Sequence, residues 1–121
     1  MKKNGLLIIF SLSILTACAP PQNSSAQIAD SPIQAVLLDQ PDLLNDASNL
    51  DISQQMNASD DPSNAQVTIL QTEPSPDAVS KTRTEYLLKR DQQIWKIVNK
   101  KQSYQCTKGE ETTDFQVNPC P

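Results

Sequence analysis

Histidine is absent from all 121 residues, so serine-type triads that need an imidazole base and imidazole zinc sites are excluded. Glycine is almost as scarce. Gly5 and Gly109 are the only two, and a glycine-rich phosphate loop cannot be assembled from them. Aromatic residues make up 4% of the chain, which limits how much core any domain can build. Lys and Arg are missing from residues 18–77 altogether. Long hydrophobic runs are missing too, apart from residues 6–15. That run is half the roughly 20 residues a membrane-spanning helix needs.

What is present is divided. Residues 18–77 hold nine carboxylates and no cation, whereas residues 78–121 hold eight cations and five carboxylates. Such asymmetry is a reason to read the halves separately. The acidic part, rich in Pro, Asn, Ser and Gln, reads as a largely disordered linker over 18–64. Within it, Ser31-Pro32 forms a helix start, an N-cap followed by proline at the first helical position, and Pro41 ends the turn that follows. Leu37-Leu38, Leu43-Leu44 and Leu50 recur at six or seven residues, either as a docking motif or as leucines of a weakly helical linker.

Residues 65–121 read as the folded unit. Val67-Thr68-Ile69-Leu70 is a short β-prone run. Residues 77–108 contain neither Gly nor Pro, so two readings of 77–90 stay open. As a helix, Val79, Tyr86, Gln93 and Ile97 share a side with charges between them, a poor apolar stripe. As a hairpin with a loop at residues 90–93, Leu88 faces Trp95 and Tyr86 faces Ile97, which places all four on one side. Residues 78–83 are expected to be helical in either reading.

The N-terminus carries a second kind of information. Lys2 and Lys3 precede the apolar run, and Leu15-Thr16-Ala17-Cys18 closes it, the layout of a signal peptide over 1–17. The four closing residues resemble the bacterial lipobox. That resemblance implies cleavage between Ala17 and Cys18, diacylglycerol on the Cys18 sulfur and an N-acyl chain on the new terminus. These lipids are the only attached groups expected, with no other cofactor and no metal. Two or more acyl chains anchor a protein stably where one does not, so lipid replaces a spanning helix. Ala19 follows the cysteine where Asp would retain an inner-membrane lipoprotein. The resemblance therefore implies the outer membrane, periplasmic face. With Cys18 lipidated, Cys106 and Cys120 remain as one pair in an oxidising compartment, read either as a disulfide or as two free thiols.

In the tail, a loop through residues 108–111 sets Tyr104 opposite Phe115, and Asn118-Pro119 returns Cys120 toward Cys106. Tyr104, Cys106, Phe115, Pro119 and Cys120 resemble a short Tyr-x-Cys…Pro-Cys hairpin domain of unknown function found in exported bacterial proteins. Residues 86–98, with their charged turn before Trp95-Lys96-Ile97, are similar to the hairpin that ends many small exported α+β domains. The expected fold is a small mainly-β or α+β domain of antiparallel hairpins, stapled by one disulfide, over residues 65–121.

Carboxylate pairs such as Asp60-Asp61 and Glu110-Glu111 fall in expected loops, where solvation explains them. General acid–base work would need a pocket that tunes their pKa values. The chain is therefore expected to be non-catalytic, with Trp95, Tyr86, Tyr104 and Phe115 as anchor candidates for another envelope protein, although the core is the role expected of them first. The alternative is a binder of anionic envelope polymers or nucleic acid through Lys96, Lys100 and Lys101.

Overall fold

The computed structural model describes residues 28–45 and 49–121. One α-helix, α1 (Pro32–Asp39), is followed by a short 3-10 turn (Leu43–Asn45) and four strands: β1 (Asn49–Met56), β2 (Asn64–Thr72), β3 (Val79–Asp91) and β4 (Ile94–Cys106). The strands form one antiparallel sheet in the order β1-β2-β3-β4. α1 packs on one face of it, against β2 and β4.

The helix forms where its start and stop signals lie. The Ser31 hydroxyl accepts from the Gln34 N–H at 3.3 Å, and the Gln34 side chain accepts from the Asp30 N–H at 2.7 Å. One orphan donor of the first turn and the N–H ahead of the cap are thereby satisfied. Pro32 supplies a fixed φ at the first position, and Gln40 closes the far end by donating to the Val36 carbonyl at 2.9 Å. Pro32, Ala35 and Val36 are the side this helix buries.

Strand alternation builds the rest. Ala65, Val67 and Ile69 on β2 are buried, as are Thr84, Tyr86 and Leu88 on β3 and Trp95 on β4. With Ala29, Ala35, Val36 and Leu43 these apolar residues make one core, against which Ile33, Leu37, Leu50, Ile52 and Ile97 pack. A period of two places every member on the helix-covered side.

Several expectations need correction. The domain does not begin at 65: α1 and β1 lie inside the segment read as linker, and both join the core. The leucines at 37, 43 and 50 are accordingly packing residues, while Leu38 and Leu44 stay exposed. Residues 79–91 are strand throughout, so neither a helix over 77–90 nor one over 78–83 forms.

The hairpin is present and its four apolar residues do share a side, but the pairing is Leu88 with Ile97 and Arg90 with Trp95. The turn is only Gln92-Gln93, with Gln92 at φ 59°. A tighter turn moves the register by two, which preserves the face. Val98 is then the extra residue of a bulge, because Leu87 pairs with Asn99.

In the tail, Tyr104 bridges Gln116 and not Phe115. That single-residue difference sends Phe115 to the opposite face of the sheet, where the Arg83 guanidinium lies 4.3 Å above its ring. The Cys106–Cys120 disulfide is present, with Cα atoms 5.4 Å apart and Cys106 buried. Gly109 turns the loop between them at φ 109°, where an added Cβ would sit 3.2 Å from the Pro121 ring.

Candidate functional site

The residues singled out for binding fall into three environments. Tyr86 and Trp95 are core. Tyr86 is fully buried and Trp95 is 5% exposed, so neither is a surface anchor. The cause is the sheet itself: both side chains lie on the face that α1 covers. The Trp95 backbone N–H donates to the Ala29 carbonyl at 3.0 Å, which pins the entering chain to the start of β4.

Lys100 belongs to a polar cluster at the end of α1. Its ammonium donates to Asp39 Oδ2 at 2.7 Å and lies 5.4 Å from the centre of the Tyr86 ring. The Tyr86 hydroxyl donates to the same carboxylate oxygen at 2.8 Å, and the Gln40 side-chain amide donates to that hydroxyl. Asp39 is the last residue of α1, where a carboxylate opposes the helix dipole. Two donors offset that penalty. The hydrogen bond from Lys100 comes first and that from Tyr86 second in holding the Asp39 carboxyl below its ordinary range. Burial chiefly, then the bond to Asp39, raises the Tyr86 phenol. The bond to Asp39 is likewise the main cause raising Lys100. The group joins α1, β3 and β4.

Lys96 and Lys101 stand on the side of the sheet that α1 leaves open. Pairing register places Lys81, Arg83, Glu85, Leu87 and Lys89 of β3 there, opposite Gln105, Ser103, Lys101, Asn99 and Lys96 of β4. Two of these cations are engaged: Lys96 pairs with Asp91 at 2.9 Å, and Arg83 lies 3.7 Å from Glu85 while donating to Ser103. Among the described residues Lys81, Lys89 and Lys101 have no ion pair. A depression of about 150 Å³ lined by Gln66, Glu85, Leu87, Asn99 and Lys101 lies on this face. It falls short of the roughly 300 Å³ at which small-molecule pockets begin. A larger hollow of about 480 Å³ beside α1 is lined by Ile28, Gln34, Leu37, Leu38 and Pro41, none of them titratable.

The carboxylate pairs do not gather into a site. Asp61 pairs with Arg90. Glu111 caps its own turn, accepting from the Thr113 hydroxyl, the Thr113 N–H at 2.7 Å and the Asp114 N–H at 2.9 Å, and these bonds hold its carboxyl down to about 2. Among the described residues no three metal-binding side chains converge, and no helix is long and apolar enough to cross a membrane. Ala17 and Cys18 lie outside the described residues. No family model, curated protein or solved structure matches the chain.

The Asp39–Tyr86–Lys100 cluster was not visible to sequence reasoning. Asp39 and Tyr86 are 47 residues apart, and only the sheet brings them together. The one available signal was that a buried tyrosine needs a partner for its hydroxyl.

Proposed function

We propose that this chain is a lipid-anchored bacterial envelope protein, a non-catalytic binding or assembly accessory on the periplasmic face of the outer membrane. The observation that carries the proposal is the partition of the cysteines. Cys106 and Cys120 pair with each other in the domain, and Cys18 is left alone in Leu-Thr-Ala-Cys. A persistent disulfide fits an exported protein, and the lone cysteine fits the lipobox.

The early start of the fold sharpens the picture. Only residues 19–28 separate Cys18 from Ala29, the first residue of the core, and none of them is charged. At 3.3–3.6 Å per residue, a stretch of that length spans at most about 40 Å. The domain would thus work close to the membrane surface instead of at the end of a long linker.

Fractionation of cells expressing the chain tests the proposal. The wild-type chain should appear in the membrane fraction with incorporated acyl label, and Cys18→Ser should lose the label. Equal labelling of both forms would contradict it.

A second reading rests on Lys81, Lys89 and Lys101, which stand on the open face with no ion pair among the described residues. In it the partner is an anionic polymer of the envelope or a nucleic acid. Binding of that kind weakens steeply with salt. Retention on an immobilised polyanion that falls with added salt, and falls further in Lys89→Ala with Lys101→Ala, would favour this reading. Salt-independent retention would oppose it.

A further inference from the structure

The two edges of the sheet are treated differently. Along β4, Ala29 takes the Trp95 N–H, and Gln116 exchanges both backbone bonds with Tyr104 at 2.8 and 2.9 Å. A bulge at Val98 and the cations Lys100 and Lys101 interrupt what is left. These are the devices by which proteins guard an edge against further pairing. Among the described residues no segment covers β1. It runs eight residues without proline or a bulge, and Asp51 is its only charge.

The hydrogen-bonding parity of β1 is fixed by its hairpin. The Asn57 N–H donates to the Asn64 carbonyl at 3.1 Å. Counting back in twos, Asp51, Ser53 and Gln55 turn their backbone groups toward β2, and Leu50, Ile52, Gln54 and Met56 turn theirs outward. Among the described residues nothing bonds to that outer row.

We propose that the outer edge of β1 pairs antiparallel with the same edge of a second copy of this chain, about a two-fold axis at Ser53. This pairing stands on the sheet alone and does not depend on the lipid anchor. The register is the one in which the outward groups all find partners. Leu50 faces the partner's Met56, and Ile52 faces the partner's Gln54. On the other side Asp51 faces the partner's Gln55, and the two Ser53 residues face each other. No like charges meet, so the edge is complementary to itself, which a foreign strand would match only by chance. Met56, 41% exposed, would lie beside Leu50 of the other copy and continue the helix-covered apolar side across the junction.

Sedimentation of the full chain carrying Cys18→Ser, in detergent and across the micromolar range, tests the assignment. That background removes the lipid and the one cysteine outside the disulfide. Any association through residues 6–15 is common to every variant. The chain should show a concentration-dependent species of twice the monomer mass. Ser53→Glu sets two carboxylates opposite each other and should abolish that species, as should Ser53→Lys. An equimolar mixture of the two should restore it, because the opposed charges then attract. Gln54→Pro, which removes an outward donor and no bond to β2, should also abolish it, with unchanged far-UV circular dichroism. A chain that stays monomeric throughout overturns the assignment and leaves the edge to a foreign strand. A dimer that survives Ser53→Glu and Gln54→Pro overturns it equally.

Discussion

Tyr86 shows how single residues carry this fold. Its ring fills the core beneath α1, and its hydroxyl reaches the carboxylate that ends the same helix. Removing only the oxygen, in Tyr86→Phe, keeps the ring and deletes the bonds to Asp39 and Gln40. A net loss of about 1–2 kcal/mol is expected, since one of those partners is charged, and chemical denaturation would measure it. The cluster also sets a pH window. The depressed Asp39 carboxyl contributes stability that is present above its ordinary value of 3.8 and lost as pH falls through its lower folded value. Lys100 and Tyr86, both raised, contribute stability present below their ordinary values of 10.5 and 10.0 and lost as pH climbs through the higher folded ones. Thermal melts should therefore show a plateau with a fall at each end. Asp39→Asn should reduce the acid arm, leaving the part that the depressed Glu111 carboxyl contributes, and an unchanged acid arm in that variant would contradict the assignment.

At the scale of elements, legibility followed the strength of the local signal. α1 could be read because Ser31, Pro32 and Pro41 punctuate it with mechanisms that act within a few residues. β2 could be read because Val67-Thr68-Ile69-Leu70 is a run of β-prone residues. β1 could not. It is an edge strand with no fully buried residue, and only Leu50 and Ile52 in it pack, partly buried, against the core. Asn, Ser and Gln fill the rest and look like linker. The β3–β4 turn was misread for a related reason. Gln92 adopts a positive φ without the Gly or Asn that would advertise a two-residue turn. These elements make a direct prediction about the domain boundary. A chain starting at residue 65 lacks α1 and β1, leaves Tyr86 uncovered, and should show no cooperative thermal transition. A chain starting at residue 28 should melt cooperatively. Cooperative melting of the shorter chain would mean that the core does not need α1.

For the whole molecule, small size is the governing constraint. One sheet and one short helix bury a modest apolar area, and domains in this range are marginal unaided. The disulfide closes a separation of 14 residues, and a loop of about that length is worth roughly 3 kcal/mol in the chain-entropy model. It ties the tail to the end of β4, where Phe115 folds over Arg83. Replacing Cys106 and Cys120 together by Ser should lower stability by about that amount, read as a shift in denaturation midpoint. An unshifted midpoint would mean that the tail contributes nothing to the fold. The placement of the disulfide was legible because, with Cys18 set aside, the arithmetic leaves one pairing. The position of Phe115 was not, because a difference of one residue in register decides which face it takes.

In the proposed reading the partition of the three cysteines joins a lipid anchor at Cys18 to the disulfide-stapled domain, and one measurement tests it. Intact mass spectrometry of the protein extracted from membranes, with thiol alkylation before and after reduction, reads all three at once. The expected result is a chain beginning at Cys18 with added acyl mass, no alkylation before reduction and two alkylations after it. A chain beginning at Met1 with an alkylatable Cys18 would contradict the account.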